Sequence, residues 1–194
     1  NADIFGSDFC YGNQCYHIGL VGKHQVYNCL MVLEVMQILT QMGYVIPREA
    51  MLDGISQTKF PARFEVVSSK PLIVIDGAHN YSGMKALTQT IKQLHCFPKV
   101  AVIGMLADKD YTEAVKLISP LCKQIFTVPI DNPRSLSPQQ LKNSIQPYCQ
   151  EVTAYSSREE ALQMAFEKLE EEDTMLICGS LYLAGEMRLA VLQK

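Results

Sequence analysis

Hydrophobic and polar positions follow two different patterns along the chain, and the pattern changes near residue 60. Aromatic-rich, strand-like runs at residues 8–11 and 14–18 flank a Gly-Asn pair, which predicts a β-hairpin. Residues 24–42 form a helix-like run that is apolar on nearly every side, and such helices are normally buried. We therefore expect this helix to contact more protein than the hairpin supplies. A second short helix is predicted to begin at Pro47 and to end near Ile55.

From residue 70 onward, short apolar runs alternate regularly with amphipathic stretches. Strands are predicted at residues 72–75, 100–104, 124–128, 151–154 and 175–178, and helices at 82–94, 112–121, 137–148, 158–169 and 181–192. Such alternation is typical of parallel strands joined by helical crossovers. It predicts an α/β fold, a Rossmann-like, doubly wound, mostly parallel sheet covered on both faces.

Composition narrows the class of protein. The 194 residues are 48% hydrophobic and 19% charged, enough for a core and unlike a disordered tail. The net charge of −3 gives no electrostatic signal for nucleic acid. No apolar run reaches the length that spans a bilayer, so we expect no membrane partner.

The cysteines are expected to be reduced, buried thiols in a reducing compartment, because their number is odd and most lie in apolar surroundings. They are Cys10, Cys15, Cys29, Cys96, Cys122, Cys149 and Cys178. Two of them, with His17, could be imagined as zinc ligands. The spacing fits no standard zinc site and a fourth ligand is missing, so no metal site is predicted.

Candidate chemistry follows the first predicted strand of the sheet. In an open parallel sheet, ligands collect beyond the carboxyl ends of the strands. Asp76 ends a buried strand, where a carboxylate is costly unless it is paired. His79 lies just before a helix amino terminus, a region favourable for phosphate. The alternative is that Asp76 or Asn80 only caps the helix, and these residues alone leave both interpretations open.

The later loops offer weaker candidates. Two acids around Lys109 could hold a substrate, but capping of the next helix is favoured there. Arg134 could bind a carboxylate or phosphate through two parallel hydrogen bonds, although a loop arginine is usually only solvated. The hydroxyl of Ser180 could face the same cleft. A phosphate loop is not found, because residues 19–24 have the wrong glycine spacing and lack Ser or Thr after the lysine.

Five ordered motifs resemble those of one enzyme family. They are G-K-H-Q-V-Y-N at residues 22–28, P-A-R-F-E at 61–65, D-G-A-H-N at 76–80, G-x-x-x-D-K-D at 104–110 and G-S-L-Y at 179–182. Together they resemble folylpolyglutamate synthases and bifunctional dihydrofolate synthases of the Mur ligase superfamily. Two positions depart from the family pattern: Tyr81 stands where proline is frequent, and Ala62 where the linker usually has glycine.

The resemblance implies a domain organisation and an activity. Residues 1–57 would be the last part of a central P-loop ATPase domain, residues 58–70 a linker, and residues 71–194 the Rossmann-like carboxy-terminal ligase domain. The complete protein would be a cytoplasmic, monomeric ligase that uses ATP and Mg²⁺ to join L-glutamate to the γ-carboxylate of folate through an acyl phosphate. This fragment alone would be inactive, with Mg²⁺ held mainly by the part that it lacks.

The resemblance also implies roles for individual residues. Asn28 would contact the adenine, and Arg63 the nucleotide phosphates. Asp76 would contact the nucleotide or position Arg63. His79 would lie near the γ-phosphate and the developing acyl phosphate, and Ser180 on the substrate side.

Two other functions stay open at this point. One is a Mur-type ligase that adds an amino acid to a peptidoglycan precursor. The other is a stand-alone nucleotide-binding or interaction module with a degenerate ligase cleft.

Overall fold

The computed structural model describes residues 1–108 and 110–193, which divide into two compact units. Unit 1 is Asn1–Pro61 and unit 2 is Ala62–Lys194. The expectations placed on Lys109, the lysine of the D-K-D motif, and on Lys194 lie outside the described residues.

Unit 1 is a small antiparallel sheet with two helices. Its elements are β1 (Ala2–Asp3), β2 (Gly6–Tyr11), β3 (Gln14–Ile18), α1 (Lys23–Gln41) and α2 (Arg48–Ser56). The strands lie in the order β1-β2-β3, and β2 pairs with β3 as the predicted hairpin. Pro47 occupies the N-cap of α2 rather than its first turn.

Helix α1 is buried on one side only, which agrees with the expectation that the hairpin does not supply enough protein to cover it. Its buried residues are Gln25, Cys29 and Leu33. Met31 and Val35, on its other sides, are 68% and 54% exposed. The hairpin and α2 line one side of the helix only, and that side joins the unit 1 core. No helix in the described part of the chain is both long enough and apolar enough to cross a bilayer.

Two of the seven cysteines correct the expectation of reduced, buried thiols. Cys10 and Cys15 are exposed, face each other as register partners of β2 and β3, and are joined by a disulfide. Because side chains alternate along a strand, both cysteines point outward even though their neighbours in the sequence are apolar. The other five cysteines are buried free thiols, as expected.

Unit 2 has the predicted alternation of strands and helices. Its elements are β4 (Glu65–Ser69), β5 (Leu72–Ile75), α3 (Tyr81–Leu94), β6 (Val100–Ile103), α4 (Tyr111–Ile118), the 3₁₀ turn Ser119–Leu121, β7 (Gln124–Thr127), α5 (Pro138–Ile145), β8 (Glu151–Ala154), α6 (Arg158–Glu167), β9 (Thr174–Cys178) and α7 (Leu181–Leu192). The six strands lie in the order β4-β5-β9-β6-β7-β8, and only β4 pairs antiparallel. The predicted fold class is confirmed. Strand β4 lies inside the segment predicted as a linker, and the proposed domain assignment stays a prediction.

Both faces of this sheet are covered by helices. Ile73 and Ile75 of β5 belong to a core that includes residues of α6 and α7. Val74, which points the other way, lies near Ile91 of α3. Helices α3, α4 and α5 follow one another in contact. The sheet is therefore doubly wound.

The last strand of the chain lies in the middle of the sheet. Strand β9 pairs with β5 on one side and with β6 on the other, both in parallel. The loops that follow β5, β9 and β6 therefore leave the sheet side by side at its carboxyl edge. This order is what brings distant parts of the sequence to one place.

The end of β9 depends on a glycine. Gly179 has φ +108, and a Cβ there would lie 2.4 Å from the carbonyl oxygen of Gly104. We expect Gly179→Ala to lower the free energy of unfolding by about 2–4 kcal/mol, from backbone strain and this clash. Gly185→Ala is the control, because that helical Cβ would meet nothing within 4 Å and should stabilise by about 0.5–1 kcal/mol. Urea unfolding followed by circular dichroism measures both, and equal stabilities would contradict the role of Gly179.

Candidate functional site

Backbone hydrogen bonds hold the strand-end loops of unit 2 together. The amide of Asp76 donates to the carbonyl of Ile177 at 2.9 Å, and that of Gly179 to the carbonyl of Ala78 at 2.9 Å. The amide of Gly104 donates to the carbonyl of Cys178 at 3.3 Å. The loops that carry the candidate residues are therefore joined to one another by backbone hydrogen bonds.

Asp76 is buried and holds a strained turn. One carboxylate oxygen accepts from the amide of Phe64 at 2.7 Å, and the other from the amide of Ala78 at 2.7 Å. Phe64 and Ala62 have φ values of 44° and 57°, in the left-handed region that side chains disfavour. Ala62 thus adopts the conformation for which the family's glycine would be suited. Asp76 fixes the turn that carries Arg63.

The guanidinium of Arg63 lies over the loop that begins at Asp76. A Cβ on Gly77 would be 2.9 Å from Nη1 of Arg63 and 2.2 Å from Cδ2 of Leu181. Glycine at this position therefore allows both side chains to approach the loop. Arg63 also lies near enough to Asp76 for its charge to act on that carboxylate, and the roles expected for both residues stay predictions.

Burial raises the pKa of Asp76 from 3.8 to about 6, although several groups act in the opposite direction. These groups are the amides of Phe64 and Ala78, followed by the charges of Arg63 and His79. Desolvation of the carboxylate outweighs them because only 9% of the residue is exposed. The alternative of a capping role for Asp76 is not supported, since its oxygens are used by the turn.

Asn80 is the residue that caps α3. Its side-chain oxygen accepts from the amide of Gly83 at 2.8 Å. The capping alternative therefore holds for Asn80, and His79 is left just outside the helix. Nδ1 of His79 lies 2.8 Å from the carbonyl oxygen of Gly77 and can only donate to it. In the neutral ring this leaves Nε2 as an acceptor.

A pocket of about 170 Å³ brings three of the candidates together. Its lining residues are His79, Leu106, Arg134, Ser180, Leu181 and Tyr182. They come from the loops after β5, β6 and β7 and from the start of α7, which follows β9 directly. The pocket therefore lies where a doubly wound sheet is expected to bind ligands. Ser180 is also the N-cap of α7, where its Oγ accepts from the amide of Tyr182 at 3.1 Å.

Arg134 is not merely solvated, contrary to the usual behaviour of a loop arginine. Its Nη1 donates to Oδ2 of Asp108 at 2.6 Å. Asp110 stands at the N-cap of α4 but makes no capping hydrogen bond there. The favoured capping interpretation of this loop is therefore not supported at Asp110.

Asn28 lies in unit 1, and its side chain donates to Oε1 of Gln25 at 3.1 Å. It is exposed on α1, close to Gln25 as its helical spacing indicates. Its proposed contact with adenine stays a prediction.

Three residues that line the pocket were not predicted from the sequence, namely Leu106, Leu181 and Tyr182. Leu181 and Tyr182 belong to the G-S-L-Y motif, and this motif could have indicated that they lie at the site. Leu106 and the partner of Arg134, Asp108, could be found only once the strand order was known. In the described ranges, no three His, Cys, Asp or Glu side chains are grouped so that they could hold a metal ion.

Comparison with known proteins identifies the family. A family profile described as "Mur ligase, glutamate ligase domain" matches residues 62–181, more than half of the chain. The chain belongs to the Mur ligase family. The candidate pocket lies in this Mur ligase domain, apart from Tyr182, which follows the matched segment directly.

The Mur ligase domain has relatives with two kinds of substrate. The chain is 30% identical to the folylpolyglutamate synthase of Lacticaseibacillus casei, over 97% of this chain and 44% of that protein. It is 35% identical to the UDP-N-acetylmuramoyl-L-alanyl-D-glutamate--2,6-diaminopimelate ligase of Helicobacter hepaticus, over 82% of this chain and 34% of that protein. Among solved structures, Escherichia coli FolC in complex with DHPP and ADP superposes with a TM-score of 0.79 at 26% identity, over 96% of this chain and 44% of that chain. The chain spans less than half the length of these relatives.

The raised pKa of Asp76 predicts a pH-dependent stability. A carboxyl group whose pKa is higher in the folded state stabilises most when it is protonated, and this contribution is lost as the pH rises through about 6. Relative to Asp76→Asn, the wild type should therefore lose about 2 kcal/mol of unfolding free energy between pH 4 and pH 7. Asp131→Asn, which removes an exposed carboxylate, is the control for net charge. Chemical denaturation across this pH range provides the measurement. If the stability of the wild type relative to Asp76→Asn instead rises with pH, the two amides and the charge of Arg63 outweigh the burial of the carboxylate.

Proposed function

We propose that this chain is the carboxy-terminal part of a folylpolyglutamate synthase, a ligase that uses ATP to add L-glutamate to the γ-carboxylate of a folate. The observation that carries the proposal is the pocket in which His79, Arg134 and Ser180 meet at the carboxyl edge of the sheet. The ordered family motifs and the similarity to the Lacticaseibacillus casei enzyme support it.

The pocket suits an anionic group. His79 and Ser180 stand at the amino termini of α3 and α7, where backbone amides and the helix dipoles favour negative charge. Arg134 adds a guanidinium with planar, paired donors. A carboxylate and a phosphoryl group, the two anions of the proposed reaction, both match these donors.

The proposed reaction has two balanced steps. First, an oxygen of the folate γ-carboxylate attacks the γ-phosphorus of ATP, and ADP leaves with the electrons of the broken P–O bond. Second, the amine of L-glutamate attacks the carbonyl carbon of the resulting acyl phosphate. Inorganic phosphate leaves, the amine loses a proton, and a γ-glutamyl amide remains.

His79 would act on the charge that develops in these steps. Because its Nδ1 is tied to the carbonyl of Gly77, Nε2 has a fixed direction. As a protonated ring it would donate to a phosphoryl oxygen, and as a neutral ring it would accept a proton from the attacking amine. Stabilising the developing charge is usually the largest contribution to catalysis.

Arg63, Asp76 and Asn28 would serve the nucleotide. Arg63 would bind the phosphates through its guanidinium, and Asp76 would act through it by fixing the Phe64 turn. Asn28 would contact the adenine. Ser180 and Arg134 would lie on the substrate side.

Mg²⁺ belongs to this proposal, but its ligands do not lie among the described residues. Asp76 is occupied by two backbone amides, and Asp108 is paired with Arg134. Together they do not fit a magnesium site. We expect the ion to be held by the ATPase part of the longer protein, and the complete enzyme to be a cytoplasmic monomer.

A peptidoglycan-precursor ligase is the second candidate function. The higher identity to the Helicobacter hepaticus enzyme, 35% against 30%, favours it, although over a shorter part of the chain. The folate assignment is preferred because the resemblance extends through unit 1 and covers 97% of the chain.

The test uses the whole reading frame that contains this chain. We expect the frame to extend upstream and to contain a Walker A loop. The purified product should incorporate L-glutamate into tetrahydrofolate with one ADP released per amide, whereas the 194-residue chain alone should bind ATP weakly and turn over nothing. Ligation only to a UDP-muramyl peptide would favour the second candidate. A frame without a Walker A loop, with ATP binding and no ligation, would indicate a stand-alone module.

His79→Ala tests the site within that longer protein. Turnover should fall by about 100-fold or more, while the free energy of unfolding should change by less than about 1 kcal/mol. His95→Asn is the control, because this exposed residue ends α3 in a left-handed conformation that asparagine tolerates. Steady-state kinetics and thermal unfolding are measured on the same preparations. If His79→Ala lowers only the melting temperature, the histidine has a structural role.

A further inference from the structure

We propose that Cys10 and Cys15 form a reversible redox site, at which a thiol reductant opens the disulfide and loosens the tip of the β2–β3 hairpin from α2. The two cysteines are register partners on neighbouring strands and are joined by a disulfide. They belong to unit 1, whereas the candidate pocket belongs to unit 2. The inference therefore does not depend on which substrate the protein ligates.

A reductant can reach this pair and no other cysteine of the chain. Cys10 and Cys15 are exposed, whereas the other five cysteines are buried free thiols. Thiol exchange requires that the attacking sulfur reach the disulfide, and exposed disulfides are the labile ones. Cys29, the third cysteine of unit 1, lies in its core and cannot exchange with the pair. Reduction and reoxidation therefore involve the same two sulfurs each time.

The hairpin has other contacts that keep its strands together when the disulfide is open. The two cysteines are only five residues apart in the sequence, and a disulfide that closes so short a loop stabilises less than one that closes a long loop. The backbone pairing of β2 with β3 already fixes the register. One pair further in, the rings of Phe9 and Tyr16 stack with their centroids 5.4 Å apart. We therefore expect the reduced hairpin to keep its fold and its two thiols to stay opposite each other.

The redox step is an exchange in which the electrons balance. A thiolate of the reductant attacks one sulfur of the pair, and the other sulfur leaves with the electrons of the S–S bond and takes up a proton. A second thiolate of the reductant then attacks the reductant's own sulfur in the mixed disulfide and releases the first cysteine. The pair gains two electrons and two protons, and the reductant, glutathione or a dithiol protein, is oxidised to its disulfide. Cytosolic disulfides are usually of this transient kind, which agrees with the location proposed for the complete enzyme.

The residues next to the disulfide connect the hairpin to both helices of unit 1. Tyr11 and Gln14 are register partners directly beside the cysteines. The hydroxyl of Tyr11 donates to the carboxylate of Glu34 on α1. The side-chain oxygen of Gln14 accepts from the guanidinium of Arg48 on α2. Because the disulfide joins the neighbours of Tyr11 and Gln14, it keeps these two contacts at a fixed separation.

A pocket of about 190 Å³ lies between the hairpin and the two helices. Tyr11 and Tyr16 line it from the hairpin, Leu33 and Met36 from α1, and Met51 from α2. Each of the two tyrosines follows a cysteine directly in the sequence, so its side chain lies on the opposite face of the strand from the disulfide. Opening the disulfide on the outer face therefore gives the tyrosine wall of this pocket more freedom to move against α2.

Thiol titration of the longer protein under native conditions tests whether the site is reversible. The protein is equilibrated in glutathione buffers of graded reduced-to-oxidised ratio, its free thiols are alkylated, and residues 10 and 15 are followed by peptide mass spectrometry. We expect the pair to pass from disulfide to dithiol as the ratio rises and to return as it falls. A pair that opens only after denaturation, or one that is never oxidised, overturns the inference.

Hydrogen exchange of the same protein measures the loosening. Reduction should speed amide exchange about tenfold in residues 9–16 and in α2, and should leave α3 unchanged. The double variant Cys10→Ser, Cys15→Ser is the matched control, because it lacks the bond in either buffer and should exchange like the reduced wild type in both. An increase confined to the hairpin, no increase at all, or a double variant that still responds to the reductant overturns the inference. Neither measurement uses turnover, so a protein that ligates no amino acid would refute the proposed function without deciding this one.

Discussion

The carboxyl group of Asp76, buried between two backbone amides, is the constraint on which the candidate site depends. It joins the end of β5 to the turn before β4, and in doing so it holds Ala62 and Phe64 in conformations that side chains avoid. The desolvation that raises its pKa and the strain of the turn are both unfavourable. The surrounding sheet must offset them, as is common where a backbone is shaped for function.

Two different kinds of residue compose the site. Asp76 and Asp108 use their oxygens on the protein itself, the first on backbone amides and the second on a guanidinium. His79 and Arg134 keep donors or acceptors available and line the pocket. This division leaves donors at the pocket for the anion that we propose it binds, and among the described residues no three His, Cys, Asp or Glu side chains are grouped so that they could hold a cation.

Sequence patterns predicted most of the fold because the strands of unit 2 are short, apolar and separated by amphipathic helices. The apolar pattern of helix α1 gave the expectation that the hairpin could not bury it, and Met31 is indeed exposed, because unit 1 covers only one side of the helix. The patterns failed where the outcome depends on what surrounds an element. Cys10 and Cys15 look like buried thiols, yet strand alternation turns both outward. The motifs predicted His79 and Ser180 as site residues. The pairing of Arg134 with Asp108 could not be predicted, because it depends on the order of the strands in the sheet, which no local pattern contains.

The central place of β9 has a consequence for synthesis of the chain. Strands β5 and β6 emerge from the ribosome about a hundred and about seventy residues before β9, yet each pairs with it along its whole length. Until then their facing edges carry unpaired amides and carbonyls, which attract other strands. Assembly of the sheet is therefore a late, non-local event, and the nascent domain should need protection from aggregation until almost all of it has been translated.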